Sequence, residues 1–541
     1  MAQISAGGDP YSLRNGLPLE QVPTVQAPAF DTEAIAAEDN RREQEGRLPL
    51  YGRVLDLDVD PWNSGEWMEL PNGDRIWRVK LISPGALATE LFFKDCFIPS
   101  GAVMFVWNLD HSEVIGGFTS ANNKASGVFG TAQLTGEGCF VEYFEPLAVA
   151  GTGSFRITGI GHAYRFVGEE KAGDCQVDVN CAPEGNGQTK QRDGVVRISV
   201  KVNGQLGWCT GSLINNLAFD CKPYFLTADH CQRDGSILAS TSDLADWRFY
   251  FKYQRSGCGT GNASAASSVI GCQRRADSND LGGTYGSDFC LVEGDDAIPT
   301  NYNPYWFGWD ANEFNPGSGA KCIHHPAGDE KKISTVNTVQ SSTFWNGVNN
   351  PYATHYRVTW SATTNGHGVT EGGSSGSPLY NSSGLIVGTL TGGSSYCNSQ
   401  QPGGQNQPDF YGKMSFHWEH NGGPASDDLK NWLDPNGTGQ KICQGSYGPC
   451  GTIGMEEQQL AAAPVLAPNP TNGVVRITLT PDQEVERVEL HDLSGRLLRS
   501  EAVNGRSVLE LDLGALRSGL YLVSTVERGA RSKAARLDLV H

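Results

Sequence analysis

The 541-residue sequence contains no run of about 18 apolar residues, so nothing in it reads as a membrane-spanning helix. Long stretches with apolar residues at helical spacing are also missing. Short apolar runs divided by turn residues take their place, and glycine reaches 67 residues, which points to a mostly β chain. Basic residues are in deficit, 41 Lys and Arg against 60 Asp and Glu. The net charge of −19 repels phosphate backbones and anionic lipid, so neither nucleic acid nor a membrane surface is an expected partner. No CxxC accompanies a second CxxC, which argues against a structural zinc site, and no metal or cofactor is expected. The first residues, Met1-Ala2-Gln3-Ile4, lack the charged and apolar regions of a signal peptide. Ala2-Gln3 reads instead as a start left by signal removal, with Met1 added.

Cysteine is present in quantity, at 14 residues. Cys96 and Cys139 lie in the first third, the other twelve fall between Cys175 and Cys450, and none follows. Even counts in each segment suit internal pairing in an oxidising compartment, hence a secreted or cell-surface protein. Cys96–Cys139 and the local pair Cys443–Cys450 are expected bridges.

Composition shifts divide the chain. Residues 1–46, rich in Pro, Ala and charge, read as a leader, extended or partly helical. Residues 47–171 read as a β-sandwich: Trp77, Val79 and Leu81 alternate with Arg78 and Lys80, giving one apolar face. The polar stretch 168–174 is a linker into the cysteine-rich block 172–450. A second linker, 451–463, contains Ala461-Ala462-Ala463. Residues 464–541 carry further strand patterns, Val474 to Leu479 and Val508 to Leu513 among them, enough for a small sandwich.

Three motifs in the middle block carry chemistry together. Tyr224 to Leu226 is an apolar strand that delivers His230, followed at once by Cys231. Gly286-Ser287-Asp288-Phe289 leads into an apolar run, and Gly372-Gly373-Ser374-Ser375-Gly376-Ser377-Pro378 is a tight Gly/Ser turn. Serine is a weak nucleophile unless a base touches it, and the base needs a carboxylate to hold its tautomer. His230 is the expected base, Asp288 its orienting group and Ser375 the nucleophile; the order His, Asp, Ser is that of chymotrypsin. The amides of Gly373 and Ser375 are the expected oxyanion hole.

Thr210-Gly211-Ser212-Leu213-Ile214-Asn215-Asn216, Tyr224 to Cys231, and Val369-Thr370-Glu371 to Leu379 resemble bacterial lysyl endopeptidases, over roughly residues 172–440. The resemblance implies a chymotrypsin-like double β-barrel, cleavage of peptides after lysine, and a precursor whose β domain at 47–171 is a prodomain. It also implies the bridges Cys175–Cys397, Cys181–Cys258 and Cys209–Cys231. Cys221, Cys272, Cys290 and Cys322 remain, with three connectivities open. The trypsin specificity position, six residues before the nucleophile, is Val369 here, and the resemblance places the pocket acid at Asp409. Leu390 and Gly392 are expected to bind the substrate backbone as an added strand. The family sets a His beside a Trp near the triad; Trp345 corresponds to the Trp, and Thr391 stands at the His position. His324-His325-Pro326 is structural, since adjacent histidines on a strand point to opposite faces. Lys171–Ala172 is the expected processing bond.

The tail resembles another family. Ala467-Pro468-Asn469-Pro470-Thr471-Asn472-Gly473, Val488 to Leu498, and Ser518-Gly519-Leu520-Tyr521 are similar to the type A sorting domain of type IX secretion, which implies secretion machinery as a partner. The expectation is a monomeric, secreted serine endopeptidase zymogen. Its rivals are the same fold with Arg or broader specificity, and an inactive secreted binding homologue.

Overall fold

A computed structural model describes the chain apart from residues 1–4, 45–46, 166–171, 265–266, 284–285, 346–347, 350–351, 398–403, 421–423, 451–463, 480–484, 493–495, 505, 528–529, 532–533 and 541. It is mostly β and forms two compact units, Met1–Gly451 and Thr452–His541. The linker expected at 451–463 lies outside the described residues.

Two sheets face each other in the N-terminal part of the first unit. One has the order Thr24–Gln26, Arg75–Ile82, Gly138–Glu145, Val103–Asn108, Val114–Phe118; the other contains Leu50–Val59, Ser154–Ala163 and Ala88–Phe97. Trp77, Val79, Leu81, Phe93, Val106, Val141 and Ile157 fill the space between them, so the alternation read at 77–81 defines the core face. The opposite face is not left to water. Leu13, Leu19 and Val22 pack with Trp107 and Phe140 there, and Arg78 is buried beside Glu66.

Residues 5–44 therefore pack onto the sandwich instead of lying apart from it. Thr24–Gln26 pairs in parallel with Arg75–Ile82, and Thr32–Gln44 is a helix whose Asp39 pairs with Arg53 at 2.9 Å. A boundary read from Pro and charge content missed this because the strand is three residues long.

The sandwich does not end at its own edge. Leu50–Val59 pairs with Ser154–Ala163 on one side and with Gln205–Ile214 on the other. Its sheet thus runs into the next layer, a ring of Val195–Val202, Gln205–Ile214, Tyr224–Thr227, Cys290–Gly294, Cys272–Asp277 and Arg248–Tyr250. Ser268–Ile270, which pairs with Arg248–Tyr250, and Cys272–Asp277 are separated only by Gly271 at φ +86°, and this kink closes the ring. A second ring closes through Lys321–His324, Lys332–Ser342, His355–Trp360, Asp409–Lys413, Ile386–Gly393 and Pro378–Tyr380. These are the two six-stranded barrels of a chymotrypsin-like fold.

The second unit is a small sandwich. Val465–Ala467, Val474–Thr478 and Val508–Asp512 form one sheet; Leu497–Ala502, Val485–His491, Gly519–Glu527 and Ala535–Leu539 belong to the other. Val475, Ile477, Leu490, Leu511, Val523 and Leu537 form its core.

Disulfides join Cys175–Cys397, Cys181–Cys258, Cys209–Cys231 and Cys221–Cys450. Two expected pairs are corrected. Cys443 is a buried free thiol: its strand lies against Trp309, its side chain joins the core there, and the chain carries Cys450 on to Cys221. Cys96 and Cys139 are also free. They stand on opposite sheets of the sandwich and enter its core as small apolar groups, burial pushing both thiols up to about 12. Cys272 and Cys290 sit on paired strands but four residues out of register, with Cys272 opposite Gly294. Cys322 lies 3.3 Å from the Ser377 hydroxyl. Even counts thus concealed six unpaired thiols. Alkylation of the denatured, unreduced chain should label six cysteines, and non-reduced peptide mapping should recover Cys221 joined to Cys450. Recovery of a Cys443–Cys450 peptide would contradict this.

Candidate active site

The catalytic candidates come from both barrels. His230 follows the Tyr224–Thr227 strand on a short turn, Asp229–Gln232, and Cys231 is bonded to Cys209 on the neighbouring strand. Its Nδ1 lies 2.7 Å from Asp288 Oδ2, and its backbone N–H donates to Oδ1 at 2.9 Å. Asp288 itself is fully buried and adopts φ +56°, a conformation costly for a residue with a side chain. Asp280 supports it by accepting the Asp288 N–H at 2.9 Å. Gly286 leaves room for this, since a β-carbon there would lie 2.5 Å from Asp280 Oδ2.

Ser375 stands half-buried between two glycines that must remain glycines. A β-carbon on Gly373, at φ +92°, would lie 2.9 Å from the Gly328 nitrogen and the His325 carbonyl; one on Gly376 would lie 2.2 Å from Thr227 Oγ1. The Thr210 N–H donates to the Ser375 carbonyl, and its hydroxyl donates to the Gly373 carbonyl, both at 2.9 Å. In the same loop the amides of Ser374, Gly376 and Ser377 donate within the protein. Those of Gly373 and Ser375 have no acceptor among the described residues, as an oxyanion hole requires.

His230 and Ser375 line a cavity of about 630 Å³, with Asp409 also in its wall. Asp409 is buried, and its Oδ2 accepts from Trp360 Nε1 and Thr370 Oγ1, each at 2.6 Å, and from the Ser395 hydroxyl. The Ser395 N–H donates to Oδ1 at 3.2 Å. All these donors are uncharged, so they orient the carboxylate without neutralising it. Gly393 opens the approach, since a β-carbon there would lie 2.0 Å from Oδ1. Sequence reasoning missed Trp360, Thr370, Ser395 and Gly393 because they lie on three different segments.

Leu390 and Gly392 sit where the Ile386–Gly393 strand loses one neighbour: Pro378–Tyr380 pairs only as far as Thr389. The edge beyond it is open beside Ser375. Leu390 is partly committed, its N–H to Ser377 and its carbonyl to Gly376, which leaves it one carbonyl lone pair. Thr391 Oγ1 lies 3.1 Å from His355 Nε2, and His355 stacks on Trp345 at 5.8 Å. The imidazole beside Trp345 therefore comes from the His355–Trp360 strand, a position that local motifs could not reveal. His324 contacts Ser374 and Ser334, and His325 contacts the Asp329 carbonyl, all within 2.9 Å. His324 braces the nucleophile loop through Ser374, whereas the His325 ring reaches the Asp329 carbonyl and its backbone N–H donates to the Thr210 hydroxyl at 3.0 Å. Ala172 is described but Lys171 is not, and the Gly173 N–H donates to Glu371 at 3.1 Å.

Two six-stranded barrels with His, Asp and Ser converging at their seam define the chymotrypsin-like class. Within it, residues 169–412 match the family model of the lysyl endopeptidase C-terminal domain, and residues 465–537 match the secretion system C-terminal sorting domain. A lysyl endopeptidase of Pseudomonas aeruginosa is 29% identical over 238 residues, covering 42% of this chain and 47% of that protein. The chain thus spans about half the length of that relative. Two solved structures are similar in fold: the thermostable serine protease AL20 from an extremophilic microorganism and the protease Anisep from Arthrobacter nicotinovorans. The first is 13% identical, covering 42% of this chain and 93% of that one at TM-score 0.28; the second is 16% identical, covering 41% and 90% at TM-score 0.27. The sorting domain assigns the chain to the secreted or cell-surface class. No helix among the described residues is long and apolar enough to cross a membrane.

Burial works against a charged His230, but the Asp288 carboxylate outweighs it, with Asp229 and Asp280 adding, so its pKa is raised. A general base must be neutral, so activity should fall as pH drops through that pKa. The acidic limb of kcat/KM should have its midpoint above the ordinary imidazole value of about 6.5. A pH-rate profile with a limb below that value would contradict the assignment of His230 as base.

Proposed function

We propose that the chain is a serine endopeptidase that cleaves after lysine and is made as a zymogen. The observation that carries this is the Asp409 carboxylate, held by neutral donors in the wall of the cavity that His230 and Ser375 share. An incoming lysine ammonium would meet an oriented, uncompensated charge. His230 would take the Ser375 proton as Oγ attacks the carbonyl carbon, the Gly373 and Ser375 amides would hold the oxyanion, and His230 would return the proton to the leaving amine. Water, activated by the same His230, would then release the acyl group. The match to the lysyl endopeptidase domain supports the same reading.

Digestion of a mixed peptide library, with cleavage sites read by mass spectrometry, tests it. The wild type should cut after lysine, and Ser375→Ala should lose activity on the order of a million-fold. Asp409→Asn should weaken cleavage after lysine by about 2–5 kcal/mol while small uncharged esters still react. Lysine preference surviving in Asp409→Asn would show that another acid lines the pocket.

Processing between Lys171 and Ala172 fits the same pocket, because the residue before the bond is lysine and the stretch is polar. The new terminus would be held by Cys175–Cys397 and by the Gly173 bond to Glu371. Lys171→Gln and Ser375→Ala should each accumulate precursor, and sequencing of the mature N-terminus checks the bond. A mature start well away from Ala172 would refute it. Secretion machinery, engaged through residues 464–541, and protein substrates are the proposed partners of a monomeric chain.

A further inference from the structure

The nucleophile loop is held from behind by a turn at residues 325–329, which joins the strands Lys321–His324 and Lys332–Ser342 of the second barrel. This turn packs directly on Gly373, where a β-carbon would lie 2.9 Å from the Gly328 nitrogen and the His325 carbonyl. The Ala327 N–H donates to the Gly372 carbonyl at 2.6 Å. The Gly372–Gly373 peptide is trans, so its C=O and N–H point in opposite directions. With the Gly372 oxygen committed to Ala327, the Gly373 N–H faces away from the turn, on the side where Gly372 and Ser375 line the cavity. Half a rotation of this one peptide would withdraw the donor from the oxyanion hole. The glycines at both of its ends oppose that rotation little. The Thr210 hydroxyl holds the Gly373 carbonyl, which belongs to the next peptide.

The donor that fixes this peptide is itself strained. Ala327 sits at φ +53°, a conformation that only glycine adopts freely. The Gly328 N–H donates to the His325 carbonyl at 3.1 Å and the Asp329 N–H to the Pro326 carbonyl at 2.8 Å, which closes the turn around it. Its outer support comes from the first barrel. Trp208 lies against Gly328, where a β-carbon would lie 2.5 Å from the indole ring. Arg197, on the Val195–Val202 strand, donates from Nη1 to the Gly328 carbonyl at 2.8 Å. Its guanidinium lies over Tyr253, Trp208 and Tyr250 at 3.5, 4.2 and 4.3 Å, and the residue is 6% exposed. Its Nε finds no hydrogen-bond partner among the described residues. A buried N–H left unpaired is destabilising, and an apolar side chain of similar size could fill a space walled by three rings without that penalty. What the arginine adds is a fixed direction for the Gly328 carbonyl.

We propose that Arg197 is a positioning residue for the oxyanion hole, acting through the Gly328 carbonyl and the Ala327 turn to keep the Gly373 N–H facing the cleft. The inference rests on the serine protease reading and adds to it a residue from the opposite barrel. Arg197 lies outside the residues that line the cavity. Its loss should therefore weaken the hold on a developing oxyanion and leave binding of the ground state alone.

The test expresses the full chain and uses three compounds: the peptide that the wild type cleaves best, the matching peptide aldehyde, and the corresponding peptide alcohol. Ser375 Oγ adds to the aldehyde carbon, its proton passes to His230, and the carbonyl electron pair moves onto the oxygen that the hole must hold. The alcohol fills the same subsites and forms no such bond. Arg197→Gln should lower kcat by about 10- to 100-fold with KM within about three-fold, below the roughly 100- to 1,000-fold loss from removing one oxyanion donor outright. Aldehyde affinity should fall by a similar factor, and alcohol affinity should stay within about two-fold. Ala327→Val keeps the N–H but sets a branched side chain against φ +53° at a half-buried site, and should act in the same direction by about ten-fold. It decides the matter alone if Arg197→Gln does not fold. Wild-type kcat and aldehyde affinity in the folded variants, or equal weakening of aldehyde and alcohol, would overturn the proposal. A wild type that cleaves no peptide or ester and leaves Ser375 unlabelled by a fluorophosphonate would instead overturn the protease reading, and this inference with it.

Discussion

The hydrogen bond from the Thr210 N–H to the Ser375 carbonyl ties the nucleophile loop of one barrel to a strand of the other. Most of the site depends on that joint. The Thr210 hydroxyl holds the Gly373 carbonyl, its own carbonyl accepts from Thr227 at 2.8 Å, and Gly376 packs so tightly against both threonines that no β-carbon could intervene. Ser375 is therefore positioned relative to the strand that leads to His230, because Thr227 ends that strand three residues earlier. The Cys209–Cys231 bridge closes the same circuit covalently, one residue from Thr210 and one from His230. Catalytic geometry across a barrel seam needs such a fastening, since each barrel alone fixes only part of the triad.

Two buried carboxylates in the cavity region are stabilised by opposite strategies. Asp288 faces the His230 imidazole and accepts the His230 backbone N–H, so its charge lies beside a group that can become cationic. Among the described residues Asp409 has only neutral donors, and burial leaves its pKa raised although the Ser395, Thr370 and Trp360 bonds oppose it. The first arrangement favours a positive charge on His230; the second leaves a buried carboxyl group with no cationic partner among the described residues. Behind Asp288, Asp280 is pushed up to about 7 by burial and then by its neighbours Asp288 and Asp229. Like charges that cannot all ionise share protons among themselves, so Asp288 keeps its charge more readily when Asp280 carries a proton.

Local patterns in the sequence revealed the triad motifs and strands because each is contiguous. His230 sits after an apolar run, and Gly373 and Gly376 announce a turn that only glycine permits. What stayed hidden was assembled from distance. The Asp409 cradle takes Trp360, Thr370 and Ser395 from separate segments, and His355 reaches Trp345 from another strand. Cysteine counts gave parity but not partners: Cys443 and Cys450 are close in sequence, yet one faces a core and the other meets Cys221 across 229 positions. Residues 1–46 read as a leader because proline and charge dominate, and packing of Leu13, Leu19 and Val22 on Trp107 and Phe140 overrides that composition.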